Sequence, residues 1–551
     1  MTQPSTAALL ALALAAAYGR PLPAQQVVVE RPEAPVPMIG GDAEDRARIA
    51  QLRGADSLDG FLLRSSSSRA AAPGRDAGDT LFLAPWWPQV TAVSNSALPF
   101  SLNDGALWAG RGTSVSVTGG VRARYRFLHA VLAPTYVWSQ NLGYPLPSEL
   151  VTAGPIPEPR SPFSYPWRVF GPSIDYPTRF GDDPYQRLDL GESAIYARLR
   201  AVEFGLSNES EWWGPAVRNA LVMSNNAPGI GKLFVRTARP IATPVGAVEA
   251  RYMLGVLATS PYFETVSLAD RGRSLSAAAV TLRPAGVPTL SLGLTRAVFA
   301  QLTGGSTLLG HALDVLGSTG RPNAISLRNP LQRPGRDQIL SLFARLVLPD
   351  DGFESYVEWG RAEMPANVRD LLVAPNHTQG YTLGLQYARP VDAAGSLVRV
   401  QAEVTNVEQS STFQDRPTGS WYTSRAVLQG YTQRGQVIGA AIGPGASSQW
   451  LASDFVRPAW SAGLFAARIR WDDDAHFFAE NRASCTHDVS VLVGARGGHQ
   501  SRAGTVTASL ALANRLNAFY QNNGFCFSDR NERVDTRNTT LSLTFVPRVA
   551  F

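Results

Sequence analysis

Hydrophobic and polar residues alternate along much of the chain from about residue 81 onward. In the clearest segment, residues 114–127, one set of positions is mostly apolar and the other carries Ser, Thr and Arg. Because successive side chains of a β-strand point to opposite faces, this period of two predicts strands with one apolar face. A soluble sandwich would pack that face inside, whereas a membrane barrel would turn it toward lipid and keep the arginines in the lumen. One strand leaves both architectures open.

The C-terminal segment favours the membrane barrel. Its apolar residues share one face, and Ser542, Thr544 and Arg548 occupy the other. The apolar set is Leu541, Leu543, Phe545, Val549 and Phe551. A last strand that finishes on an aromatic residue is a signal that outer-membrane barrels resemble one another in carrying. We therefore expect Phe551 to contact the barrel-assembly machinery and the wall to contact outer-membrane lipid.

Composition agrees with a barrel and separates a signal peptide and a linker from it at the N-terminus. Only 17% of the 551 residues are charged, yet beyond the N-terminus no run reaches the roughly 20 apolar residues of a membrane-spanning helix. The apolar run 7–17 predicts a signal peptide over residues 1–24. Residues 25–80 are rich in Pro, Ala, Arg and Ser and predict a periplasmic linker with a short helix between 42 and 63. Residues 81–551 form the predicted all-β transmembrane barrel.

Topology follows from counting strands backwards from the C-terminus. The last strand of a bacterial barrel ends at the periplasm, periplasmic turns are short and extracellular loops are long, which predicts about eighteen antiparallel strands. Short turns rich in Gly and Pro then fall at the periplasmic end. The long connections, all predicted outside, are 140–191, 300–338, 362–379, 408–436 and 472–486. The protein is therefore expected in the bacterial outer membrane.

Two motifs add a family resemblance. The first is Glu211-Trp212-Trp213-Gly214-Pro215, which is followed by the turn Ser224-Asn225-Asn226. The second is the segment Gln-Gly-Tyr-Thr-Gln-Arg-Gly-Gln-Val-Ile-Gly at 429–439. Together they resemble the capsule-assembly Wzi family of outer-membrane proteins. The resemblance implies a barrel with a small helical periplasmic segment and a non-enzymatic lectin role, holding capsular or other exported polysaccharide at the cell surface.

The alternation of inward and outward residues along a strand, its parity, predicts where the tryptophans of the first motif point. It predicts that Trp212 and Trp213 lie near the periplasmic end of an outward strand, one in the lumen and one toward lipid. In that position Gly214 and Pro215 would interrupt the strand ladder. A structural role and a ligand-binding role are both open. The polar residues of the motif are Glu209, Glu211, Arg218, Asn225 and Asn226. One hypothesis is that the charged ones form an ion network in the lumen.

The predicted glycan-binding residues lie in two outer loops. Aromatic rings stack on sugars, and the planar guanidinium of Arg matches a carboxylate bidentately. The net charge of +6 agrees with an acidic polysaccharide, and no nucleic-acid motif accompanies it. The candidates are Trp421, Tyr422, Arg425, Tyr431 and Arg434 in one loop and Tyr165 and Trp167 in the other.

The residues that could carry catalysis or bind metal form no recognised motif. The six histidines have no metal-ligand spacing, and GxSxG and P-loop motifs are absent, so no enzyme activity, metal or cofactor is predicted. Glu354 and Glu358 are expected to point into the lumen and pair with arginines. The run 472–474 is expected to be a solvated acidic loop.

Two further hypotheses come from the same topology. Cys485 and Cys526 fall at neighbouring outer positions and could form a disulfide that ties two loops together. An arginine-lined lumen also admits an anion-favouring diffusion channel as the alternative function.

Overall fold

The computed structural model describes residues 27–29, 38–70, 80–147, 161–167, 173–263, 272–305, 307–317, 335–363, 365, 367–416, 418–478, 487–520 and 535–548. Cys485, Cys526, Phe551 and the predicted signal peptide lie outside these residues, so what is expected of them stays a prediction.

A single antiparallel sheet closes on itself as an eighteen-stranded barrel, which confirms the predicted fold class. Three of its strands, β3, β4 and β6, are interrupted and consist of two pieces each. The strands are β1 Leu81–Asn95, β2 Gly112–Tyr125, β3 Leu128–Leu132 and Thr135–Ser139, β4 Tyr185–Asp189 and Ala194–Leu199, β5 Val202–Ser207, β6 Gly231–Thr237 and Ile241–Thr243, β7 Gly246–Leu257, β8 Arg273–Pro284, β9 Leu290–Gln301, β10 Arg336–Leu348, β11 Phe353–Ala362, β12 Gln379–Pro390, β13 Leu397–Asn406, β14 Ser447–Val456, β15 Trp460–Arg470, β16 Val489–Ser501, β17 Gly504–Leu516 and β18 Thr536–Pro547.

The barrel closes where β18 pairs with β1, from Thr540 opposite Asn95 to Phe545 opposite Val90. Closure matters because it leaves no sheet edge with unpaired backbone groups, which lipid could not satisfy. A short strand, Val27–Val29, pairs in parallel with the start of β1.

The two faces of the wall are inverted relative to a soluble protein. Large apolar side chains are exposed on the outside, including Leu292, Leu342, Leu385, Leu464, Val493, Leu512 and Leu543. Charged side chains on the alternate positions, such as Arg345, Glu354 and Arg399, are buried in the lumen. The outer face of such a barrel contacts lipid and not water. Of the two architectures that the alternation leaves open, a soluble sandwich and a membrane barrel, the structure is therefore the membrane barrel.

Short turns and long connections segregate to opposite ends, as the sequence predicts. The turns at 126–127, 349–352 and 502–503 lie at the same end as the last residues of β18, and this is the periplasmic end. The strand ends that flank the connections 96–111, 258–272, 407–446 and 517–535 lie at the other end. No helix in the described part of the chain is long and apolar enough to cross a bilayer.

A small N-terminal segment, residues 38–70, occupies the periplasmic end of the lumen. It contains helix α1, Asp42–Leu52, with acidic residues in its first turn where they complement the helix dipole. The helix ends in a Schellman motif: Gly54, at φ +67°, donates to Gln51 and Ala55 donates to Ala50. The short helix that the sequence predicts between residues 42 and 63 is therefore present.

The other described helices are brief, namely α2 Ser66–Ala70, α3 Thr307–Gly310, α4 Val368–Val373 and α5 Asp473–Phe478, with 3₁₀ turns at Asp314–Leu316, Ser411–Gln414 and Ala518–Tyr520. Four described strand pieces of two or three residues lie inside the barrel or at its outer end. They form two pairs, Leu63–Ser65 with Glu211–Trp213 and Thr432–Gln433 with Gln436–Val437.

Candidate functional site

The tryptophan motif belongs to a plug, residues 208–230, that fills part of the lumen. Strand β5 ends at Ser207, and the chain then leaves the wall and folds into the barrel. Glu211–Trp213 pairs antiparallel with Leu63–Ser65 of the N-terminal segment. The prediction that one tryptophan faces lipid is wrong, since Trp212 is 2% exposed and Trp213 is fully buried. The parity argument failed because it continued a barrel strand through residues that have left the wall.

Gly214 makes the turn after the tryptophans possible. Its φ of +103° is unfavourable for residues with a side chain, and a Cβ there would lie 3.2 Å from a carboxylate oxygen of Glu358. The next residue, Pro215, offers its carbonyl to the guanidinium of Arg48 at 2.7 Å. The Gly-Pro pair therefore docks the plug between the wall and helix α1 and does not interrupt a barrel strand.

A single wall carboxylate holds the following turn of the plug. Glu403 on β13 accepts hydrogen bonds from the backbone amides of Val217, Arg218 and Asn219 at 2.7 to 3.1 Å. It also accepts the hydroxyl of Tyr356 at 2.6 Å. Glu403 is almost completely buried, so these donors replace the water that its charge would otherwise require.

The two lumenal glutamates on β11 have different partners. Glu354 binds Arg48 and Arg345 at 3.1 Å, as the expected pairing with arginine requires. Glu358 instead accepts the amide of Leu221 at 3.2 Å and the hydroxyl of Ser341 at 2.8 Å. The pairing prediction is thus confirmed for Glu354 and wrong for Glu358, which acts as a second anchor for the plug.

The charged motif residues divide between two places. Glu211 lies 2.6 Å from Arg251 and 3.7 Å from Lys232, while the carbonyl of Glu209 accepts a hydrogen bond from the same lysine at 2.6 Å. Burial alone would raise the pKa of Glu211, but the charges of Arg251 and Lys232 lower it. Arg218 lies apart from this network, with its guanidinium 4.3 Å from the centre of the Trp450 ring.

The Asn pair joins the plug to its neighbours. Asn225 donates its side-chain amide to the carbonyl of Ile39 in the N-terminal segment at 3.1 Å. Asn226 donates to the carbonyl of Val437 at 2.9 Å. Val437 belongs to an outer cap, residues 418–446, which folds inward from the extracellular end. The plug is therefore fixed from both ends of the lumen.

The outer cap contains most of the predicted glycan-binding residues, and three of them are buried. Trp421, Tyr422 and Tyr431 are exposed by 2% or less. The two tyrosine hydroxyls donate to the carbonyls of Leu221 and Val222 in the plug at 3.0 and 2.9 Å. The expectation that these rings face the outside is wrong, because the loop folds back and packs them on the plug.

The other loop candidates differ in exposure. Tyr165 is buried and donates its hydroxyl to Asp472, and Trp167 stacks on Phe519 with ring centroids 6.2 Å apart. Arg425 is half-buried, whereas Arg434 is exposed. Arg434 is thus the one predicted glycan contact, among those the structure describes, with an exposed side chain.

The acidic run 472–474 is not the solvated loop that the sequence predicts. All three aspartates are buried, and Asp473 pairs with His487. Burial raises the pKa of Asp472 well above its ordinary value and that of Asp474 to about 7. Within the described residues, no group of three or more His, Cys, Asp or Glu side chains could hold a metal ion.

A cavity of about 830 Å³ occupies the rest of the lumen, beside the plug. It reaches from the periplasmic residues Ser501 and Gly504 up to residues 100–107, which belong to the connection between β1 and β2. Those residues bend inward, and Gly105 donates to the carbonyl of Asn225 in the plug at 2.8 Å. Toward the outside, the cavity is bordered by these residues and by Ala441 and Ile442 of the outer cap.

Sequence reasoning missed the cavity and the two wall anchors. A glutamate at an inward position was visible in the alternation of β11 and β13, but its partner lies about 140 to 185 residues away in the chain. Such pairings depend on the path of the plug, which no local pattern encodes.

A family profile matches most of the chain, and several solved structures are similar to it. The profile of the family described as capsule assembly protein Wzi matches residues 101–454. Among solved structures, Wzi of Escherichia coli, described as a carbohydrate-binding β-barrel involved in group 1 capsule assembly, is 11% identical, with 83% of this chain and 84% of that chain covered and a TM-score of 0.49.

Two porins are also similar. A BenF-like porin from Pseudomonas fluorescens Pf-5 is 9% identical over 84% of this chain and 97% of its own, with a TM-score of 0.37. The outer-membrane protein OpdK of Pseudomonas aeruginosa is 10% identical over 83% and 97%, with a TM-score of 0.36. None of the curated proteins matches the chain.

Proposed function

We propose, because the chain belongs to the capsule assembly Wzi family, that this outer-membrane protein is a non-enzymatic lectin that binds exported polysaccharide and anchors it at the cell surface. The observation that carries the proposal is the plug packed inside the lumen and held to the wall by Glu403 and Glu358. The plug and the outer cap fill the path that a diffusing solute would take, which favours binding over conduction. The alternative of an anion-favouring channel has no such support.

The glycan contact on the outer surface is proposed at Arg434. Its side chain is exposed, and its backbone amide donates to the carbonyl of Ala258 at 2.9 Å. That bond fixes Arg434 beside the segment 258–263, which carries the half-exposed ring of Tyr262. A guanidinium that can bind a sugar carboxylate, beside an accessible aromatic ring on which a sugar can stack, suits an acidic glycan.

Retention of an acidic polysaccharide tests this proposal. The purified barrel, refolded in detergent, would be passed over immobilised polygalacturonate, and Arg434→Ala and Tyr262→Ala should each weaken retention several-fold. The matched control is Arg502→Ala, which removes another exposed arginine, from a periplasmic turn. Equal retention of all four proteins would contradict the assignment, and absence of retention by the unaltered protein would contradict the lectin function for acidic glycans.

A further inference from the structure

The lumenal cavity has the size and the position of a separate binding site. Its volume of about 830 Å³ falls in the range of small-molecule sites, roughly 300–1,000 Å³. Its lining includes Ser501, Gly504 and Arg548 at the periplasmic end, while the plug and residues 100–107 border it toward the outside. A molecule would therefore reach it from the periplasm, on the opposite side of the membrane from Arg434.

One wall of the cavity is a belt of hydroxyl groups. Thr507, Thr544, Thr91 and Ser116 lie directly opposite one another across the four adjacent strands β17, β18, β1 and β2. Ser509 and Ser542, a second opposed pair on β17 and β18, also belong to this belt. Neighbouring strands are about 4.8 Å apart, so the belt presents hydroxyls at a spacing similar to that of the polar groups along a sugar chain.

These hydroxyls are largely free to bind a ligand. Thr91 and Thr544 bond to each other at 3.0 Å. Within the part of the chain that the structure describes, the hydroxyls of Ser116, Thr507 and Ser542 have no hydrogen-bond partner in the protein, and all three residues are half-buried against the cavity. Each hydroxyl can both donate and accept, which suits the hydroxyls of a saccharide.

The plug side of the cavity supplies a positive charge. The guanidinium of Arg218 lies over the ring of Trp450, and Arg496 approaches the same ring at 5.8 Å. Arg496 is neutralised by Asp454 at 2.7 Å. Arg218 has no ion pair among the described residues, although its backbone is held by Glu403. Burial and the neighbouring charge of Arg496 lower the pKa of Arg218 and outweigh the opposite effect of the carboxylates of Glu403, Asp104 and Asp45.

The other buried and half-buried cations of the cavity lining are paired, whereas Arg548 is exposed at the periplasmic end. Arg399 binds both Asp45 and Asp454, at 2.6 and 2.9 Å. Arg46 binds Asp42 at 2.8 Å. Among the buried and half-buried cations of the lining, the unpaired charge is therefore that of Arg218 in the plug, in the same cavity as the hydroxyl belt. A ligand that meets both walls needs an anionic group at one place and several hydroxyls at the other.

We propose that the cavity is a second, periplasm-facing saccharide site that takes a short acidic oligosaccharide, with a sugar carboxylate on Arg218 and sugar hydroxyls on the belt of Thr91, Ser116, Thr507 and Ser542. The choice of a saccharide rests on the proposed function, whereas the anionic and polyhydroxylated character of the ligand comes from the cavity itself. The site would hold a piece of glycan before export or a chain end that reaches the barrel from inside.

Binding of trigalacturonate to the refolded, full-length barrel in detergent micelles tests the site, because both ends of the barrel are then accessible. Isothermal titration calorimetry should show binding to the unaltered protein and a loss of about tenfold or more in Arg218→Gln, since one charge-assisted contact is removed. Ser542→Phe fills the belt at a distance from the plug and should also abolish binding. The neutral trimer maltotriose should bind more weakly than trigalacturonate and respond less to Arg218→Gln.

Controls separate this site from the outer one. Arg502→Gln removes an exposed arginine outside the cavity and should leave trigalacturonate affinity unchanged, and folding of each variant is checked by its heat-dependent shift in electrophoresis. Trigalacturonate affinity that is unchanged in both Arg218→Gln and Ser542→Phe but reduced in Arg434→Ala would overturn the cavity site and leave the lectin function standing. Trigalacturonate binding that depends on Arg218, without retention on polygalacturonate, would leave the cavity site and overturn surface anchoring. No binding of either ligand would overturn both.

Discussion

At the scale of single residues, the lumen is organised by buried carboxylates that accept backbone amides. Glu403 and Glu358 each receive N–H groups from the plug, a segment without regular secondary structure that leaves such donors unsatisfied. A buried carboxylate is costly unless it is hydrogen-bonded, and an orphaned amide is costly as well. The buried carboxylates and the amides of the plug therefore stabilise each other. The position of Arg218 depends on the contact of its amide with Glu403.

Glu403→Ala should release the plug. We expect it to lower the free energy of unfolding by about 3 kcal/mol, because several buried amides lose their acceptor and each such loss costs roughly 1–3 kcal/mol. Urea titration of the refolded barrel followed by tryptophan fluorescence would measure the change. Tyr356→Phe is the matched control, since it removes one donor to Glu403 and keeps the amide contacts. Equal stability of Glu403→Ala and the unaltered protein would contradict the anchoring role.

Asp474 gives a pH-dependent prediction. Burial raises its pKa from 3.8 to about 7 in the folded protein, so the folded state binds its proton more tightly than the unfolded state. Stability is then highest when the carboxyl is protonated and falls as the pH rises from about 4 to about 7. Asp474→Asn should remove this loss and stabilise the protein at pH 8 but not at pH 4.

Thermal unfolding of Asp474→Asn at the two pH values, beside Asp182→Asn, would check this. The side chain of Asp182 is 79% exposed at the outer end, and its amide variant should show no such dependence. A stabilisation that is the same at both pH values would count against the buried, protonated state.

At the scale of elements, helix α1 acts as the periplasmic support of the plug. Arg48 bonds Glu354 on the wall and the carbonyl of Pro215 in the plug, while Asp45 pairs with Arg399. An eleven-residue helix is marginal on its own in water, so its order depends on these contacts.

Arg48→Met should loosen the N-terminal segment and leave the barrel closed around it. We expect chymotrypsin to cleave near Leu52 and Phe61 several-fold faster in the variant, because both side chains are buried while α1 is docked. Arg46→Met is the control on the same helix, since Arg46 pairs mainly with Asp42 one turn away. Similar cleavage rates in both variants would argue that Arg48 does not dock the helix.

At the scale of the whole molecule, the barrel and its contents are separable parts. Ser207 at the end of β5 lies directly opposite Lys232 in β6, so the wall is continuous across the base of the plug. The interior segments fill a lumen that eighteen strands would otherwise leave wide enough for an aqueous channel. The plug and the outer cap therefore determine whether the barrel conducts ions.

Single-channel recording in a planar bilayer tests this arrangement. The unaltered protein should show no steady current. A variant in which an Asn-Gly turn replaces residues 209–229 should still fold as a barrel, because β5 and β6 are already paired, and it should conduct. A steady anion-selective current through the unaltered protein would restore the channel function and contradict a closed lumen.

The sequence alone determined the wall of this protein. Period-two alternation, with arginine opposite apolar residues in 114–127, predicts strands, and the alternation of strand ends predicts their number and orientation. These features are local, because each strand needs only its own faces and its turns to be specified. The family motif could be read for the same reason, since its residues are contiguous in the chain.

Only the tertiary structure decided what the wall encloses. Trp421 and Tyr431 look like exposed loop aromatics in the sequence, yet they are buried because a long connection turns inward and packs on the plug. Glu403 meets its amide partners across about 185 residues, and the hydroxyl belt forms only when the two ends of the barrel meet. Polar side chains and loop aromatics carry no directional signal of their own, so their partners depend on the closed barrel and on the path of the chain within it.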